Sequence, residues 1–118
     1  MTLHIPDIPA TRNFIDATRL VLLKPGAWLI NTARGGVLDE DALFEAASTA
    51  RLGGAVLDVF KQEPYVPATR DLRTLENVLL TPHIGSSTIE ACRRMALAAL
   101  ANIRAAARGE FDRMTIVN

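Results

Sequence analysis

The sequence predicts an α/β domain built on a parallel sheet. Three observations carry this reading: short apolar runs suited to buried strands, helical patterns between them, and Gly or Pro punctuation at each junction. The chain has 118 residues, 49% apolar and 22% charged. That is enough for one domain with a real core, which at this size buries roughly two-thirds of the surface exposed when unfolded and needs no metal or disulfide.

The first strand candidate ends early. Leu3, His4, Ile5 and Pro6 read as the end of a strand or the entry to a loop, since Pro6 and Pro9 stop helix and ladder alike. A helix is expected from Asp16 to about residue 23, with Ala17, Leu20, Val21 and Leu23 apolar and Lys24, Pro25 and Gly26 ending it. Residues 27–31 are nearly all apolar and predict a strand buried on both faces, closed by Gly35 and Gly36. Asp39 is a credible N-cap for a helix to about residue 50, with Glu40 and Asp41 at its positive end and Ala42, Leu43, Ala46 and Ala47 on its buried face.

A further strand is expected at 55–60, where Asp58 is the one polar residue, followed by a loop holding Pro64 and Pro67. Residues 77–81 predict another buried strand, cut off by Pro82. Ser87 and Glu90 have capping-box spacing for a helix to about residue 107, with Ile89, Cys92, Met95, Ala96, Ala99, Ile103 and Ala106 on a buried stripe and Gly109 as its stop. Trp28 is expected to pack beside its strand. A last short strand is expected at 114–117. Strand and helix alternation implies right-handed crossovers, with ligands collecting at the carboxyl ends of the strands.

Charge and cysteine content exclude several classes. Thirteen basic and thirteen acidic residues cancel, so the surplus of Lys and Arg that nucleic-acid binding draws on is missing. The most apolar stretch, 95–103, is bracketed by Arg93, Arg94 and Arg104 and falls short of the roughly 20 residues a membrane span needs. The opening MTLHIPDIP lacks a basic region followed by an apolar core, so a signal peptide is not expected. The single Cys92 can form no intrachain disulfide, and a cytoplasmic setting follows.

The chemistry gathers at one edge. Thr32, Ala33 and Arg34 follow one predicted strand, Asp58 and Glu63 the next, and His83 the third. An Arg can clamp a carboxylate, a His can exchange a proton near neutral pH, and a Glu beside it can orient the ring and favour its protonated form. Each residue alone also fits a plainer role: a surface ion pair for Arg34, a solvated loop carboxylate for Glu63, a helix-entry residue for His83. Convergence on one edge leaves the two readings balanced.

Three ordered motifs add to the spacing. INTARGGVLDE at 30–40, GAVLDVF at 54–60 followed by Glu63 and Pro64, and TPHIG at 81–85 strongly resemble the D-isomer-specific 2-hydroxyacid dehydrogenases. The resemblance runs from His4 to Asn118 and implies a partial Rossmann-type, doubly wound parallel sheet, the second half of an NAD-binding domain. By the same resemblance, Arg34 would bind a substrate carboxylate, His83 would be the general acid/base, and Glu63 would pair with it. Asp58 would meet the nicotinamide carboxamide, while Ile5, Thr32, Ala33, Gly85 and Ser86, with Arg34 and His83, would line an NAD or NADP cofactor. The substrate would be a small 2-hydroxy or 2-oxo acid, and the assembly a homodimer.

The seven glycines contain no G-x-G-x-x-G turn, and the acidic residue that would follow it and read the ribose is also missing. The expectation is therefore residues 1–118 as one partial NAD-binding domain without its substrate domain, a dehydrogenase fragment inactive alone. The alternative is a non-enzymatic, self-associating module that keeps the fold.

Overall fold

The computed structural model describes residues 1–67 and 69–115. Two compact units divide the chain, Met1–Ile84 and Gly85–Asn118.

The first unit is built on four parallel strands in the order β1 (Thr2–Leu3), β2 (Trp28–Asn31), β3 (Gly54–Leu57) and β4 (Val78–Leu80). Helix α1 (Ala17–Leu20) joins β1 to β2, and α2 (Glu40–Ser48) joins β2 to β3. This bears out the α/β class and the parallel sheet. The register matters most for function. Leu3 pairs with Asn31, Asn31 with Leu57, and Leu57 with Leu80. The residues that follow the strands, His4, Thr32, Asp58 and Thr81, therefore leave the sheet in one row.

Local chemistry explains the elements. Asp16 caps α1, its Oδ1 accepting the Arg19 N–H at 2.9 Å and the Thr18 hydroxyl at 2.6 Å. The helix stops at Leu20, short of the expected residue 23. Arg51 draws the carbonyls of Val21 and Leu23 onto its guanidinium at 2.6 Å each, and Pro25 disfavours helical backbone at Lys24. Asp39 caps α2 as its sequence suggests, accepting from the N–H groups of Asp41 and Ala42 at 3.1 Å each. Leu43 and Ala47 form its buried face, with Ala42 and Ala46 partly buried beside them.

The core lies on one side of the sheet: Leu29 and Leu57 from the strands meet Leu20, Leu38, Leu43 and Leu72. Only β3 approaches burial on both faces. The expectation of two buried faces is overturned for β2, where Trp28 and Ile30 are 50% and 37% exposed, and for β4, where Leu79 is 59% exposed. Side chains alternate along a strand, so a one-sided core leaves every second residue outside it. Trp28 nevertheless lies across a glycine pair: a Cβ at Gly54 would fall 2.7 Å from its indole ring.

The second unit holds α3 (Ile89–Ala107). Its N-cap is Thr88, which accepts the Ala91 N–H at 3.1 Å, one residue beyond the expected Ser87. Gly109, at φ +70°, takes the left-handed backbone that ends the helix, as expected. The predicted buried stripe is corrected: Ile89, Cys92, Met95 and Ile103 are exposed, and Ala105 is the buried residue of α3. Within its unit the helix meets a 3-10 turn at Phe111–Arg113. Met114 and Thr115 form no strand. Ile116 and Val117, the rest of that expected strand, lie outside the described residues.

Candidate functional site

Two turns at the carboxyl edge of the sheet carry the predicted side chains. After β2, the fully buried Asn31 holds the turn at 31–34 with its own amide: Nδ2 donates to the Arg34 carbonyl at 3.0 Å and Oδ1 accepts the Ala33 N–H at 3.1 Å. Arg34 leaves this turn exposed and in extended backbone, its guanidinium donating to the Ala33 carbonyl at 2.7 Å. Gly35 follows immediately, so close to the backbone of Phe60 and Lys61 that a Cβ has no room. That approach brings the loop after β2 against the loop after β3. Glu40 reinforces it, accepting the Lys61 N–H at 2.7 Å; its burial raises its pKa despite that bond.

The other turn, at 81–84, closes on Asp58. This buried carboxylate accepts the Thr81 hydroxyl and, at 3.0 Å, the Ile84 N–H, both on Oδ1. Between them the His83 N–H donates to the Thr81 carbonyl at 3.0 Å, and His83 itself sits at φ +55°. Its Nδ1 meets Glu63 Oε2 at 2.7 Å, while Glu63 Oε1 accepts the Phe60 N–H at 3.0 Å. The His83 bond, then the Phe60 N–H, holds the Glu63 carboxyl below its ordinary pKa, so it stays ionised. Half-exposed, the pair borders a cleft of about 570 Å³ whose walls include Phe60, Tyr65, Leu80 and Arg73. Arg73 is already engaged by Asp71 at 2.7 Å.

The structure thus brings Glu63 and His83 into contact and joins Asp58 to the His83 turn. Thr32 and Arg34 are exposed on the neighbouring turn, Ala33 is half-buried, and Arg34 makes no ion pair among the described residues. Ile5 packs partly buried against the core just beyond β1. Gly85 and Ser86 open the second unit and are exposed. Two contributors escaped the sequence reading. Asn31 looked like strand, and Thr81 looked like the last residue of β4; a polar side chain at the carboxyl end of an otherwise apolar strand was the available signal.

These motifs have known relatives. The D-isomer specific 2-hydroxyacid dehydrogenase, NAD-binding domain family matches residues 1–85. The chain belongs to that family. A D-3-phosphoglycerate dehydrogenase of Synechocystis sp. is 50% identical over 104 residues, covering 88% of this chain and 18% of that protein. A glyoxylate reductase of Thermofilum pendens is 46% identical over 111 residues, 94% of this chain and 32% of that protein. Among solved structures, a D-isomer specific 2-hydroxyacid dehydrogenase of Xanthobacter autotrophicus Py2, in complex with NADPH and MES, aligns with TM-score 0.75 and 38% identity. That alignment covers 99% of this chain and 46% of that one. The chain spans 18% and 32% of the length of these two curated relatives.

The residues present fit one end of a nicotinamide cofactor. At the strand ends Asp58 places a carboxylate, the kind of acceptor an amide N–H pairs with, and Ile5 places an apolar side chain just beyond β1, two strands away. The pyrophosphate end has no counterpart in these 118 residues, because none of the seven glycines forms the G-x-G-x-x-G cradle.

Proposed function

We propose that this chain carries the acid/base edge of a nicotinamide-dependent 2-hydroxyacid dehydrogenase. The observation that supports it best is the 2.7 Å contact between His83 and Glu63 at the carboxyl edge of a parallel sheet. In this reading Arg34 clamps the substrate carboxylate with paired hydrogen bonds. His83 Nε2 gives a proton to the 2-oxo oxygen during reduction and takes one from the 2-hydroxyl during oxidation. Glu63 accepts a hydrogen bond from Nδ1–H, which orients the ring and fixes the nitrogen that faces the substrate.

Asp58 would hold the nicotinamide carboxamide, with Ile5, Thr32, Ala33, Gly85 and Ser86 lining NAD or NADP. When bound, that cofactor supplies or accepts the hydride. A phosphate-binding turn and a substrate domain outside these residues complete the machinery. Assembly as a homodimer is part of the proposal, supported by the exposed apolar row Trp28, Ile30 and Leu79 on one sheet face. Light scattering of the purified chain checks it, a monomeric mass counting against it.

Calorimetric titration with NADH and NADPH tests the cofactor assignment. Saturable heat is expected. Absence of heat at millimolar cofactor would instead favour a non-enzymatic module.

A further inference from the structure

Thr81 is assigned no role by the chemistry above, yet it is the residue from which the His83 turn starts. Its backbone N–H is fixed by the sheet, donating to the Leu57 carbonyl at 2.9 Å. The hydroxyl is then the free variable, and it donates to Asp58 Oδ1, the same atom that accepts the Ile84 N–H at 3.0 Å. One oxygen thus binds both residues flanking Pro82 and His83. Asp58 is itself anchored, its N–H donating to the Asn31 carbonyl at 3.0 Å.

Such a bracket explains an unfavourable backbone. His83 lies at φ +55°, in the left-handed region that a side chain with a Cβ avoids unless its surroundings impose it. Pro82 fixes its own φ and has no N–H of its own, so the turn has few bonds with which to hold this shape. The Thr81 hydroxyl and the Ile84 N–H, converging on Asp58, close it from both ends. In that shape the imidazole Nδ1 reaches Glu63 Oε2 at 2.7 Å across 20 residues of sequence.

We infer that Thr81 is a positioning residue: its hydroxyl, latched onto Asp58, holds His83 in the left-handed turn that aims the imidazole at Glu63. The inference rests on the acid/base reading of that pair for its catalytic meaning, while the latch is measurable without cofactor or substrate. Asp58 then serves two ends, the turn and the proposed cofactor contact, whereas Thr81 serves only the turn.

The test uses NMR on the 118-residue chain, which has only two histidines, so His4→Gln assigns the imidazole signals. Two signatures report the pair: the hydrogen-bonded Nδ1 proton of His83, and the carboxyl titration of Glu63. Thr81→Val keeps the shape and removes the hydroxyl; the Nδ1 signal should be lost and the Glu63 titration should move up toward its ordinary value. Thr81→Ser keeps the hydroxyl and should preserve both. Thr81→Ala provides a second hydroxyl-free variant, should the valine variant fail to fold.

Unchanged signatures in a folded hydroxyl-free variant would overturn the latch. So would equal losses in Thr81→Ser and Thr81→Val, which would assign the effect to the methyl group. Cofactor titration of the same samples separates the two claims. An intact latch in a chain that binds no nicotinamide would sink the functional reading alone.

Discussion

The turns after β2 and after β4 each carry a candidate site residue, Arg34 and His83, and they are anchored in opposite ways. Asn31 holds the Arg34 turn from within, using bonds to residues two and three positions away. The His83 turn is held from outside, by Asp58 and Glu63, which lie 20 to 26 residues away in sequence. Local anchoring fixes the backbone and leaves a long guanidinium exposed. Remote anchoring fixes both backbone and ring, which suits the aimed proton-transfer group proposed for His83.

The largest expected effect falls on the aimed ring. His83→Ala should lower turnover of a 2-oxo acid in the active protein by about 10²–10⁴-fold, or about 3–5 kcal/mol of barrier. Steady-state kinetics with NADH decide it, and unchanged turnover would remove His83 from the chemistry. Arg34→Ala should act mainly on substrate affinity, because its turn survives without the guanidinium.

Next come the anchors. Asp58→Asn weakens the acceptor for both the Thr81 hydroxyl and the Ile84 N–H and should cost about 2–3 kcal/mol of stability, read from the denaturant midpoint. Asn31→Ala strands the Ala33 N–H and the Arg34 carbonyl and should cost about 1–2 kcal/mol, less because water reaches that loop. A larger loss from Asn31→Ala than from Asp58→Asn would reverse the comparison.

The smallest effect is one of pH. Folding depresses the Glu63 pKa, so its contribution is complete above the ordinary glutamate value and is lost as pH falls through the lowered one. Melting curves of wild type and Glu63→Gln should differ at neutral pH and converge in acid. A gap that widens in acid would contradict the assignment.

Local signals were legible. Asp39 announced its helix by side chain and spacing, and the strand-helix alternation gave the parallel sheet. The three motifs carry the candidate site residues, and the structure places Thr32, Asp58 and Thr81 directly after strand ends. Other features were decided by partners that a linear reading does not see. Ser87 had the capping-box spacing, yet the capping bond went to the next hydroxyl, Thr88. Trp28 and Leu79 have the apolar character of core residues, but a one-sided core left them exposed. Gly35 read as turn punctuation, while the structure assigns it to a close approach to the Phe60 backbone. The bonds of Asp58 to Thr81 and Ile84 span the gap between two strands, which only the β3 to β4 register brings together.

The proposed function requires that this edge receive a nicotinamide beside the His83 and Glu63 pair. A backbone and imidazole NMR titration of the chain with NADH tests it most directly. Saturable shifts confined to the strand ends, at Ile5, Thr32, Ala33, Asp58 and His83, are the predicted result. Shifts that gather elsewhere, or none at millimolar NADH, would contradict it.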